Sequence, residues 1–255
     1  MMKIINDEGL PMKAAGGKRA MEGAKTRKVY IIGTGRMGRL IAGGLVGKAE
    51  IVLVGREPSR LLSTAREFGA GTAGLDGTFA GADALILALP TQATAEVLDK
   101  IASRVPPGAI VVNIATVVLR ADLSPYFPED RLVGVKFVGQ FREMAEGGKA
   151  TVVVDAQSPE AEALARELFA DLGAVVTGKE EWVRTVNLVA AEEGLRAAVR
   201  AQERLRSSGV PEELIQAGLR VVAPGSIKSF ALNDLGPFGR ALAEKVRAEF
   251  GRNEE

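Results

Sequence analysis

A doubly wound, Rossmann-type α/β sheet followed by a smaller all-helical C-terminal region is the fold class this 255-residue sequence predicts. Three observations predict it. Short apolar runs alternate with helical stretches from Lys28 to about residue 178, the pattern of a mostly parallel sheet. The first run, Val29-Tyr30-Ile31-Ile32, leads directly into Gly33-Thr34-Gly35-Arg36-Met37-Gly38 and a helix start near Arg39. After Lys179 no strand pattern remains.

In chain order, residues 1–27 read as a polar N-terminal extension with two glycine clusters. Strands are expected at 29–32, 50–54, 85–89, 109–114, 132–137 and 150–154, and helices at 37–47, 58–68, 91–103 and 158–172. Pro90 follows a strand and suits the first turn of a helix. Pro106-Pro107-Gly108 marks a turn. Ser158 is placed to cap a helix that opens with Pro159 and two early acids. The region 182–206 reads as one long helix that ends near Ser207-Ser208-Gly209. Pro211 then starts a helix, Pro224-Gly225 breaks it, and Pro237 starts the last one. The expected domains are the extension 1–27, a nucleotide-binding domain 28–178 and a helical domain 179–255.

Composition excludes several chemistries. The chain has no cysteine and no histidine, so thiolate nucleophiles, disulfides and histidine-based metal sites are ruled out. Acid-base work falls to Lys, Glu, Asp, Tyr, a hydroxyl or water, and no metal site is expected. A net charge of +1 argues against general attraction to nucleic acid. No apolar run approaches the ~18 residues of a membrane span, and the basic N-terminus lacks a secretory core. The expectation is a cytoplasmic protein with a small-molecule substrate and neither nucleic acid nor membrane as partner.

Strand, glycine turn and helix together form a dinucleotide site. Gly33 permits the tight turn, Gly35 lets backbone approach a pyrophosphate, and Gly38 permits close packing of helix on strand. The helix N-terminus supplies free N–H groups and a positive dipole end. An acidic residue after the second strand would hold the ribose 2′-OH of NAD. Here that segment is Gly55-Arg56-Glu57-Pro58-Ser59-Arg60, in which Arg56 and Arg60 can clamp a 2′-phosphate and Arg36 adds a third cation. The alternative is that these arginines are solvated loop charges. The reading favours NADP. Thr34, Met37, Leu89 and Pro90 complete the expected cofactor contacts.

On these residues the chain resembles the delta-1-pyrroline-5-carboxylate reductase family, within the wider 6-phosphogluconate-dehydrogenase-like group of NADP oxidoreductases. The turn 33–38, the segment 54–61, the strand end Leu87-Ala88-Leu89-Pro90-Thr91-Gln92 and Val222-Ala223-Pro224-Gly225-Ser226-Ile227-Lys228 carry the resemblance. Where that family has a Ser-Gly-Ser-Gly-Pro-Ala substrate loop, this chain reads Leu188-Val189-Ala190-Ala191-Glu192-Glu193-Gly194. Residues 133–139 are more similar to the corresponding strand of prephenate dehydrogenases, with Lys136 in place of their histidine.

The resemblance implies an NADPH-dependent enzyme reducing a C=N bond of a small carboxylated substrate. The alternatives are a prephenate- or hydroxyacid-type dehydrogenase, a deazaflavin-NADP oxidoreductase, or a non-catalytic NADP-binding sensor. A protonated imine accepts hydride without a base to deprotonate an alcohol, which suits a chain without histidine. Candidate catalytic residues are Lys136, as a carboxylate binder or acid, Glu192 on the long helix, and Lys228 at an expected helix start. Each has a plainer reading: Lys136 as a solvated strand-end lysine, Glu192 in an i,i+4 ion pair with Arg196, Lys228 as a surface lysine. Asn187 and Arg196 are further inward-facing candidates. Apolar residues on more than one face of the long helix (Val183, Val186, Val189, Ala190, Leu195, Ala198, Val199) lead to the expectation of a homodimer.

Overall fold

The computed structural model describes residues 26–251 and two two-residue strands, Ile4–Ile5 and Pro11–Met12, which pair antiparallel. Most of the expected extension 1–27 lies outside the described residues. The described chain divides into two compact units, up to Asn187 and from Leu188 onward, with the division inside one long helix.

The first unit is built on an eight-stranded sheet. Its strands are β1 Arg27–Ile32, β2 Ala49–Val54, β3 Gly71–Ala73, β4 Ala84–Leu87, β5 Ile110–Asn113, β6 Leu132–Val138, β7 Ala150–Ala156 and β8 Gly173–Thr177. Their spatial order is β8-β7-β6-β5-β4-β1-β2-β3. All pairings are parallel except β6 with β7, where Lys136 faces Val153. Chain order therefore reverses on either side of β1, and the crevice at its carboxyl end is the switch point where ligands of such sheets bind.

The helices packed around this sheet are α1 Arg36–Leu45, α2 Pro58–Phe68, α3 Thr91–Ile101, the short α4 Phe141–Ala145, and α5 Pro159–Phe169. Strand alternation sorts the core into two layers. Val29 and Ile31 of β1, with Ala84 and Ile86 of β4, join α1, α2 and α5 on one face. Tyr30 and Ile32, with Leu85 and Leu87, join α3 and the aromatic rings of Phe79 and Phe127 on the other. Because both faces are covered, the strands read as continuous apolar runs.

The six expected strands are present, although the third ends at Leu87 and not at residue 89. Within the eight-stranded sheet two strands were not expected. β3 is a three-residue Gly-Thr-Ala edge, too short for a periodic signal. β8 opens at Gly173, where any Cβ would collide with the carbonyl of Ala150. That glycine is a device for close strand approach and carries no strand propensity of its own. Helix α4 was also missed; the Gln140 side chain caps it by accepting from the N–H groups of Arg142 and Glu143.

Helix α6, Glu180–Ser207, begins in the first unit and continues into the second. The second unit adds α7 Glu212–Ala217, α8 Ala223–Ala231 and α9 Pro237–Gly251. Gly209, at φ +73°, ends α6. Pro224-Gly225 does not break the chain into separate helices as expected. A π-helical turn, Gly218–Val222, joins α7 to α8, and the Ala223 N–H reaches the Gly218 carbonyl. A proline lacks an N–H and crowds the carbonyl four residues back, and the wider turn just before Pro224 absorbs both effects. Lys228 therefore sits in the last turn of α8, not at a helix start. Among the described residues no helix is long and apolar enough to cross a membrane.

The ring of Phe169 is fully buried and meets Phe137 edge to face at 5.9 Å, tying α5 to β6. Phe169→Ala should lower unfolding free energy by about 3–5 kcal/mol in a denaturant titration. A loss under about 1 kcal/mol would mean that this contact is not a core anchor.

Candidate functional site

The crevice above β1 is shaped by backbone that approaches closer than any side chain would allow. Gly33, at φ +106°, donates its N–H to Val54 O at 2.8 Å, and a Cβ there would collide with the carbonyl of Ala88. The Ala88 N–H in turn bonds Ile32 O at 2.9 Å, locking the end of β4 against the turn. A Cβ at Gly38 would collide with the carbonyl of Gly33. Gly35 differs from both, with nothing within 4 Å of a Cβ built on it. It faces open space, where a ligand can approach the backbone.

Gly35 is also the N-cap of α1, whose first turn holds no acidic residue. The free N–H groups and positive dipole end there are uncompensated by the protein's own side chains and suit a pyrophosphate. Arg36 is exposed beside them, its guanidinium 5.5 Å from the ring centre of Phe141.

A cavity of about 570 Å³ runs over this turn. Gly33, Thr34, Gly35, Arg36, Met37, Arg56, Arg60, Leu89 and Pro90 all line it. Gly38 is buried behind the turn and shapes it from below. At the end above β2 the cavity meets a second hollow of about 750 Å³, with Arg56 on both and Lys100 and Arg104 on the latter. Arg104 is committed to backbone, donating to Gly77 O at 2.6 Å and to Lys100 O at 2.6 Å. Lys100 pairs with Glu96 at 2.7 Å. That pairing, with a smaller contribution from Arg56, holds the Glu96 carboxyl below the usual carboxylate range. The opposite end, above β4 and β5, is walled by Ala88, Leu89, Ile114, Ala115 and Thr116. The last three escaped sequence reading because residues 114–116 carry no motif; their position at the carboxyl end of β5 was the signal available.

The candidate catalytic residues fall in different units, Lys136 in the first and Glu192 and Lys228 in the second. Lys136 is neither a free acid nor a solvated strand-end lysine: it is 1% exposed. Its ammonium donates to Asn113 O at 3.2 Å, Ala115 O and Val118 O at 2.9 Å, and pairs with Glu180 at 3.1 Å. No donor remains for a substrate. Burial pushes the Lys136 ammonium down and the Glu180 carboxyl up, and their mutual attraction opposes both shifts.

Glu192 and Lys228 belong to the second unit. Glu192 forms the i,i+4 pair with Arg196 on an exposed helix face, and Lys228 is exposed. Asn187 donates to Phe137 O at 2.8 Å, pinning α6 to the end of β6. Sequence reading missed Glu180, whose carboxylate is 3% exposed and accepts the backbone N–H of Arg120.

Comparison with known proteins agrees with this geometry. Residues 28–116, which span β1 to the wall at Thr116, match the family described as NADP oxidoreductase, coenzyme F420-dependent. The segment that makes the glycine turn is thus similar to part of an NADP oxidoreductase family. No curated protein matches the sequence. Among solved structures, a pyrroline-5-carboxylate reductase from Coxiella burnetii is similar at a TM-score of 0.70 and 16% identity, covering 90% of this chain and 93% of that one. A pyrroline carboxylate reductase from Plasmodium falciparum, solved with NADP bound, gives a TM-score of 0.62 at 12% identity over 91% and 94%. A reductive aminase from Aspergillus terreus, in complex with NADPH and ethyl-5-oxohexanoate, gives 0.60 at 19% identity over 82% and 76%. At these identities the likeness is one of fold.

Gly35→Val should leave the fold intact, since nothing in the protein occupies that space, and should abolish NADPH binding measured by calorimetry. Retained binding with an unchanged melting temperature would show that the turn holds no pyrophosphate.

Proposed function

We propose that the chain is an NADPH-dependent reductase of a C=N bond in a small carboxylated substrate, similar in chemistry to pyrroline-5-carboxylate reductases. The observation that carries the reading is the polarity of the cavity. An acid-free helix N-terminus and Gly35 lie at its middle, Arg56 and Arg60 at one end, and an apolar wall at the other. A dinucleotide with pyrophosphate at α1 and a 2′-phosphate at the arginines lays its nicotinamide along Ala88 and residues 114–116.

Two observations favour a C=N bond over an alcohol. The chain has no histidine, and the lysine at the sheet edge has every donor committed. That lysine is therefore not the base an alcohol would need, whereas a protonated imine needs orientation and hydride. A second reading, hydride exchange between a deazaflavin and NADP, is favoured by the description of the matching family.

A panel of cyclic imines with and without a carboxylate, run with NADPH and NADH, tests the proposal. NADPH oxidation on a cyclic imino acid is the expected result. Turnover only with a deazaflavin, read by its own visible absorbance, would favour the second reading. Arg56→Ala should weaken NADPH by about 1.5–3 kcal/mol, roughly 10- to 150-fold, and leave NADH nearly unchanged. Equal affinity of the wild type for both cofactors would overturn the NADP assignment.

The helical unit carries the proposed assembly. Leu195 is 68%, Val221 69% and Phe238 83% exposed, and Val186, Val189 and Val199 are also exposed. Of the long-helix residues expected at an interface, Val183 alone is fully buried within the chain. So much open apolar surface is uncommon on a monomer, and a twofold dimer buries it against itself. Light scattering at micromolar concentration should give twice the 26.8 kDa chain mass; a monodisperse monomer would refute the dimer.

A further inference from the structure

The Lys136 site is built with more care than a chance burial requires. Gly134, two residues earlier on β6, leaves the space the Glu180 carboxylate fills, since a Cβ there would collide with it. Glu180 is oriented in turn: its backbone N–H donates to Asp155 at 3.1 Å, and its carboxylate accepts the N–H of Arg120. On the other side, the Lys136 ammonium draws together three carbonyls from one loop, those of Asn113, Ala115 and Val118. The Asn113 side chain stitches the same loop, donating to Val118 O at 2.8 Å and accepting from the Ala115 N–H at 3.1 Å.

A buried ion pair contributes little net stability compared with a well-packed apolar pair. Its effect here is geometric: only a group with three donors can gather three carbonyls. The loop so gathered contains Ile114, Ala115 and Thr116, the wall of the cavity over β4 and β5.

We infer that Lys136 is a positioning residue for the cofactor, shaping the loop 113–118 into the wall on which the nicotinamide end rests, with Glu180 holding the ammonium in place. The inference rests on the cofactor orientation proposed above. It assigns Lys136 no proton transfer and no contact with substrate. It separates the two ends of the cavity: the phosphate end, made by α1 and Arg56, does not depend on Lys136, and the wall at Ala115 does.

The double variant Lys136→Met, Glu180→Gln removes both buried charges together, so neither is left unpaired. Three quantities are measured: melting temperature, affinity for NADPH, and affinity for adenosine 2′,5′-bisphosphate, which fills only the phosphate end. The expected result is wild-type affinity for the bisphosphate with NADPH weakened at least about tenfold. Glu180→Gln alone leaves the buried ammonium without its counter-charge and should weaken NADPH in the same direction, with bisphosphate affinity unchanged. If the double variant does not fold, Lys136→Gln, Glu180→Gln, with two neutral amides of similar length, takes its place under the same criteria. Wild-type NADPH affinity in the folded double variant would overturn the inference, as would equal losses for NADPH and the bisphosphate. A wild-type protein that binds neither ligand would overturn the cofactor reading itself, and the inference with it.

Discussion

The carbonyl of Ala88 lies where a Cβ on residue 33 would have to be, and the carbonyl of Gly33 lies where one on residue 38 would be. Much of the crevice follows from this double exclusion. Without side chains at these two positions, β1 can turn sharply, α1 can start against the strand ends, and β4 can close up beside β1 through the Ala88–Ile32 hydrogen bond. The result is a backbone-lined crevice with a helix N-terminus pointing into it, at the point where strand order reverses. Gly35, the third glycine, has no such steric neighbour. The same turn thus contains glycines required by the protein and a glycine left open to a ligand.

A second constraint lies across the sheet at the end of β5. An ammonium and a carboxylate have been taken out of water, which is costly unless their hydrogen-bonding capacity is used. Lys136 meets that condition with three loop carbonyls and Glu180. The same contacts bind together three elements far apart in sequence: β6, the loop after β5, and the first turn of α6. The site removes Lys136 from the acid-base inventory and gives the loop 113–118 a defined shape. In a chain without histidine, this leaves any acid-base work to polar groups elsewhere.

The two units differ in how their apolar residues are used. In the first, strand alternation sorts side chains into two layers, each closed by helices. In the second, Ile215 is fully buried while Leu188, Leu214, Val222 and Leu232 are exposed. A helical segment of this size has too little volume to enclose all its own apolar side chains, so much of that surface stays open.

Sequence by itself determined the alternation of apolar runs and helices, hence the doubly wound sheet, and the glycine turn with Arg56 and Arg60 after the next strand. These signals are local: a strand or turn is specified by residues adjacent in the chain, and the prolines at 211 and 237 mark helix starts by their missing N–H groups. Tertiary structure alone decided the rest. Strand β8 depends on Gly173 meeting Ala150, which no window of sequence contains. Pro224 reads locally as a break, yet the π turn before it keeps the helix continuous. Lys136 reads locally as a strand-end cation, but its partners lie 18 to 23 residues away, with Glu180 further along the chain. Whether a lysine is a reactive group or a structural staple depends on what surrounds its ammonium, and that environment exists only once distant segments have packed together.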